Sequence, residues 1–72
     1  MERVRVRSSD LAEVGYDPFE GILEIKFRSG ATYVYFNVPV HVYEGLLRAG
    51  SKRSYFHRNI KDRYRTRRGR AG

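Results

Sequence analysis

The spacing of hydrophobic residues lengthens along this chain, from a period of two in its first half to between three and four in its second. Arg3 to Ser8 reads R-V-R-V-R-S, which places Val4 and Val6 on one face and Arg3, Arg5 and Arg7 on the other, as in a half-buried strand. Ser8, Ser9 and Asp10 can bond nearby backbone amides, so the stretch to Gly15 reads as a turn with room for one helical turn through Leu11. A second loop opens at Tyr16-Asp17-Pro18 and closes at Glu20-Gly21. Ile22 to Phe27 alternates again, with Leu23, Ile25 and Phe27 opposite Ile22, Glu24 and Lys26, and Ala31 to Phe36 forms a third strand.

After these strands Pro39 suits the first turn of a helix in which Val42, Tyr43, Leu46 and Leu47 share one side, with Gly50 as a left-handed cap. Gly45 weakens that helix unless another backbone comes close there. Ser51 is the expected N-cap of a second helix with Tyr55, Phe56, Asn59 and Ile60 on its inner stripe. Its other side is basic, because Arg53, His57, Lys61 and Arg65 recur every four residues with Lys52 and Arg58 beside them. Beyond Tyr64 the chain runs R-T-R-R-G-R-A-G without a large apolar residue, so residues 65–72 are expected to form a disordered arginine-rich tail. The expected architecture is α+β in one domain over residues 1–64: a three-stranded antiparallel sheet followed by two helices packed on one face, in the order βββαα.

The loop at Arg28-Ser29-Gly30 sets the register between the second and third of these strands. A three-residue loop with Gly30 in the left-handed region is the preferred reading, a type I turn followed by a bulge. Phe27 then pairs with Ala31, Ile25 with Tyr33 and Leu23 with Tyr35, which turns both tyrosines toward the core. A two-residue Ser-Gly turn slips the pairing by one and turns them outward beside Glu24 and Lys26. The inward register leaves Ile22, Val34 and Phe36 on the outer surface, an apolar strip suited to a partner or a second copy of the chain.

Charge adds a second kind of asymmetry. The formal net charge is +7, yet Met1 to Leu47 holds five basic and seven acidic residues (−2) while Arg48 to Gly72 holds ten basic residues and only Asp62 (+9). Segregation of this sort is the electrostatic footprint of a chain that binds polyanions, since each phosphate neutralised releases condensed counterions. Arg53, Arg58, Arg63, Arg65, Arg67, Arg68 and Arg70, with Lys52, Lys61 and Tyr64 interleaved, are the candidate nucleic-acid-binding residues, the arginines following phosphates while Tyr64 stacks. Arg3, Arg5 and Arg7 are placed to pair with Glu24 across the sheet instead.

Other classes are disfavoured. Ser9, Asp10, His41 and His57 include the residue types of a nucleophilic triad, but no nucleophile-elbow motif brings them together, so no catalytic residue is expected and the chain reads as non-enzymatic. His41 and His57 lie sixteen residues apart with no carboxylate at ligand spacing, and cysteine is absent, so neither a metal nor a cofactor is expected. Met1 to Arg7 lacks the apolar region of an export signal, and the longest uncharged stretch, Ser29 to Tyr43, is too short to span a membrane and holds Pro39. A cytoplasmic location without membrane contact is the expectation.

Several spaced motifs together resemble the KTSC domain, a short module found at the C-terminus of some lysyl-tRNA synthetases and as stand-alone bacterial and phage proteins. They are V-R-S-S at Val6 to Ser9, Gly15-Tyr16-Asp17, L-E-I-K-F-R-S-G at Leu23 to Gly30, and Y-V-Y-F-N-V-P at Tyr33 to Pro39. The A-G-S from Ala49 and Tyr55-Phe56 with Ile60 follow. The likeness spans residues 4–62. It implies that Tyr33 and Tyr35 are the family's central Tyr-x-Tyr, in the core or stacking on bases, and that RNA is preferred over DNA. It carries over no catalytic residue. Arg53, where a glycine commonly follows the serine, and the extension after Tyr64 depart from the family pattern.

Overall fold

A computed structural model describes residues 2–69. Four strands lead: β1 (Arg3–Arg5), β2 (Leu11–Asp17), β3 (Ile22–Phe27) and β4 (Thr32–Tyr35). They are followed by α1 (Val40–Arg48), α2 (Lys52–Asn59) and a fifth strand, β5 (Thr66–Arg68). The sheet is antiparallel throughout in the order β1-β2-β3-β4-β5, so the chain meanders outward, crosses one face as two helices, and returns to pair with the far edge of β4. Leu11, Val14, Leu23, Ile25 and Tyr35 from the sheet meet Val42, Leu46, Phe56 and Ile60 from the helical layer to form the core.

The hairpin between β3 and β4 has the inward register. Leu23 pairs with Tyr35 and Ile25 with Tyr33, the amide of Phe27 donates to the carbonyl of Ala31 at 2.8 Å, and the amide of Gly30 donates back to Phe27 at 2.9 Å. Gly30 takes φ +99, the positive value that this loop demands and that a side chain resists.

The three-stranded sheet expected from the sequence is overturned in two places, although the α+β class stands. Residues 11–17 are a seven-residue strand, not a turn with a helical turn. A bulge lies between Leu11 and Glu13, where Leu11 pairs with Phe27 but Glu13 with Lys26. The bulge puts Leu11 and Val14, three residues apart, on the same buried face, which disguises the period of two. The second correction concerns the tail expected to be disordered from residue 65. Thr66–Arg68 is a strand whose side chains are all exposed, held by its backbone. The amide of Phe36 donates to Arg65 at 2.9 Å, that of Gly69 donates to Thr32 at 2.7 Å, and the Thr66 hydroxyl donates to Val34 at 2.9 Å. Hydrophobic patterning cannot register a strand that buries no side chain.

The helices follow their expected stripes except at Leu47, which is exposed at the edge of the α1 stripe and not packed inward, and with one change of cap. Val42 and Leu46 of α1 and Phe56 of α2 are buried, and Ser51 caps α2 by accepting from the Ser54 amide at 3.3 Å. Helix α1 ends at Ala49 in extended conformation, and Gly50 is not left-handed. The Lys52 ammonium donates to the carbonyls of Leu47 at 3.0 Å and Ala49 at 2.9 Å, satisfying the helix end that a glycine cap would otherwise close. Gly45 is required by Tyr55. A Cβ there would overlap the Tyr55 hydroxyl and lie 2.7 Å from Cζ, and that hydroxyl donates to the Val42 carbonyl at 3.0 Å.

Candidate functional site

The inward register brings Phe27, Tyr33 and Tyr35 to one end of the sheet, and α2 lays Phe56 across them. Phe56 meets Phe27 and Tyr35 edge to face, with centroids 5.3 Å and 5.8 Å apart, and Phe27 meets Tyr33 in the same way at 5.9 Å. Tyr35 is 5% exposed, whereas Phe27 and Tyr33 are only half-buried and form the wall of an open cleft of about 420 Å³. Asp10, Ser29, Lys61, Asp62 and Thr66 make its polar rim. Asp62 reaches the rim because the turn after α2 holds it at φ +62, and that turn redirects the chain into β5. Burial pushes the Tyr35 phenol up to about 12. The nearby Thr66 hydroxyl partly offsets this, and the charges of Tyr33 and Asp62 add to it.

Among the described residues, the ion pairs within 4.0 Å all belong to Arg3, which reaches Glu24 at 3.0 Å and Glu13 at 3.7 Å. The basic side chains of α2 and β5 have no carboxylate at that distance, and Arg53, Arg58, Lys61, Arg63, Arg65, Arg67 and Arg68 are exposed. The described residues hold no cluster of three metal-ligating side chains, no hydrogen bond links Ser9, Asp10, His41 and His57, and no helix is long and apolar enough to cross a membrane.

Compared with known sequences, residues 7–64 match the profile of the KTSC domain. The chain belongs to the KTSC domain family. A protein of Stutzerimonas stutzeri is 44% identical over 64 residues, which are 89% of this chain and 90% of that protein. The lysine–tRNA ligase of Nostoc is 44% identical over 50 residues, 69% of this chain but 9% of the ligase. A crystal structure of a KTSC domain protein from Yersinia pestis superposes with a TM-score of 0.93 at 36% identity, covering 96% of this chain and 97% of that one.

Within this KTSC domain the residues selected from the sequence separate into four groups. Arg53 and Arg58 surround a shallow concavity on the outward side of α2 together with Ser54 and His57. Arg65 and Arg67 lie on the outer face of the sheet, because Arg67 pairs with Val34 and the Arg65 guanidinium sits 6.0 Å from the Phe36 ring centre. Lys61 and Arg68 flank the aromatic cleft, Lys61 on its rim and Arg68 over the Tyr33 ring at 6.0 Å. Lys52, Arg63 and Tyr64 have structural work: Lys52 caps α1, the Arg63 guanidinium donates to the Arg58 carbonyl at 2.8 Å, and Tyr64 packs half-buried against the core. Arg70 lies outside the described residues.

On the outer strip, Ile22, Val34 and Phe36 are half-buried, not open, with Arg65 and Arg67 beside them. The cleft itself brings in residues that sequence reasoning did not select as site residues. Phe27 was legible as a neighbour of the tyrosines once the register was set, while Asp10 and Asp62 carry no local signal and meet there only through the fold.

Proposed function

We propose that this domain is a small non-enzymatic nucleic-acid-binding module with a preference for RNA, acting in the cytoplasm. The observation that carries the reading is the state of its C-terminal basic groups. Seven exposed arginines and lysines, Arg53, Arg58, Lys61, Arg63, Arg65, Arg67 and Arg68, are held on a folded scaffold with no carboxylate of the described residues within ion-pair distance. Unpaired cations fixed on a rigid surface attract phosphates without first breaking internal salt bridges. Preference for RNA rests on kinship with a short stretch of a lysine–tRNA ligase, a protein named for its action on tRNA.

Binding is led by charge, through α2 and β5, so it weakens steeply as salt rises. The test is fluorescence anisotropy with a labelled structured RNA, comparing wild type with an Arg53→Gln/Arg58→Gln double variant. Both side chains are exposed, so melting is expected to stay close to wild type while affinity falls several-fold, about one phosphate contact per arginine. Equal affinity of the double variant and wild type at low salt removes α2 from the interface.

A further inference from the structure

We infer that the aromatic cleft beside Tyr33 takes a single unpaired nucleobase bearing an exocyclic amino group, an inference that rests on the nucleic-acid reading above and names what that site selects. The cleft, at about 420 Å³, falls within the range of about 300–1,000 Å³ typical of small-ligand sites, so it suits one planar ring and not a duplex. Its wall is aromatic, and two of its rings, Phe27 and Tyr33, are only half-buried. Surfaces of this kind hold unstacked bases in single-stranded segments.

The rim decides what enters. Asp10 and Asp62 both line the opening, and neither is in an ion pair with Lys61 within 4.0 Å. Carboxylates repel phosphate, so the backbone stays outside, where Lys61 and Arg68 flank the mouth. A carboxylate accepts from an amino group and has nothing to offer a carbonyl. Cytosine, adenine and guanine each present an exocyclic amine, while uracil has none and presents a carbonyl where cytosine has its amine. The cleft therefore reads the 4-amino group of cytosine against the 4-oxo group of uracil.

Short single strands test this on the full chain: labelled oligo(C) and oligo(U) hexamers, titrated by anisotropy at one low salt concentration and again across a salt series. Wild type is expected to bind oligo(C) about tenfold tighter than oligo(U), within the range of one base-edge contact. Tyr33→Leu is expected to lose at least about fivefold on both, with an unchanged salt slope. Asp62→Asn keeps the left-handed backbone that asparagine tolerates, and is expected to shrink the preference for cytosine while melting like wild type. Amide NMR of wild type with oligo(C) needs no variant, and shifts at Phe27, Ser29 and Tyr33 support the assignment. Equal binding of the two oligomers, or shifts confined to Arg53, His57 and Arg58, overturn the cleft inference while leaving charge-led binding intact. Failure of every hexamer and of structured RNA to bind at low salt overturns both.

Discussion

Arg68 stands opposite Tyr33 on the β4–β5 ladder, its guanidinium carbon 6.0 Å from the centre of the ring. The pairing fixes arginines that the sequence assigned to a loose tail. It also splits them by side, since Arg67 pairs with Val34 on the outer face and Arg68 with Tyr33 on the helix face. The last arginines are thus part of the sheet's architecture as well as its charge.

Truncation after Tyr64 is therefore expected to do two things at once. It removes the basic groups, and it strips the backbone partners of Thr32, Val34 and Phe36. These three hydrogen bonds, at a net of about 0.5–1.5 kcal/mol each, together with the β4–β5 ladder lost with them, predict a destabilisation of at least about 2 kcal/mol in urea unfolding. The bared edge of β4 predicts concentration-dependent association in sedimentation. The triple variant Arg65→Gln/Arg67→Gln/Arg68→Gln keeps the backbone strand, so it is expected to stay monomeric with a midpoint near wild type. If the truncated chain and the triple variant unfold alike, β5 does not hold the sheet.

Gly45→Ala tests the packing between the helices. Alanine favours a helix interior over glycine by about 1 kcal/mol, so an isolated helix would gain from the change. Here the added methyl runs into Tyr55, with Cζ at 2.7 Å, and a net loss of about 1–3 kcal/mol is expected from overpacking. Because Tyr55 is the obstacle, Tyr55→Leu in the alanine background is expected to cost less than it does in wild type, a non-additivity that a double-mutant cycle in urea measures.

Phe56 joins the two layers by touching Phe27 and Tyr35 at once. Phe56→Ala is expected to cost about 3–5 kcal/mol, a large share of the roughly 5–15 kcal/mol that stabilises a whole domain. Loss of dispersed amide resonances at 25 °C, or a melting midpoint lowered by more than ten degrees, is the expected readout. A near-normal melt shows that the aromatic cluster is not central to the core.

Alkaline pH acts through the buried phenol. The folded-state value for Tyr35 is pushed up to about 12 from an unfolded value of about 10, chiefly by burial. The folded state holds that proton where the unfolded state has released it, so the contribution to stability is fully present below about pH 10 and is lost as pH rises through about 12. Burial raises Tyr16, Tyr43 and Tyr55 as well, in the same direction. Urea midpoints are expected to fall between pH 10 and 12, and Tyr35→Phe is expected to flatten that fall. An unchanged slope in the variant shifts the effect to the other tyrosines.

What the sequence disclosed follows from which features leave a mark on side-chain order. Ile22 to Phe27 alternates cleanly, and Gly30 has one good use in a hairpin, so that pairing and the inward turn of Tyr33 and Tyr35 were both readable. Leu11 and Val14 sit three apart across a bulge, which imitates a helical spacing and hid β2. The strand at Thr66–Arg68 is made by amides and carbonyls common to every residue, so composition pointed to disorder. The motifs identified the family over nearly the same stretch that its profile matches, residues 7–64. At the candidate site the basic residues were visible, but not their uses: Lys52 and Arg63 look like ligands in sequence and act as helix-end donors in the fold. Asp10 and Asp62, more than fifty residues apart, become neighbours on the cleft only through tertiary structure.

The claim that unpaired cations on α2 and β5 bind nucleic acid is tested most directly by the salt dependence of RNA affinity for the intact chain. Four phosphates neutralised on single-stranded RNA predict a slope of about −3 in a plot of log affinity against log salt. A slope near zero, or no binding at low salt, contradicts the account.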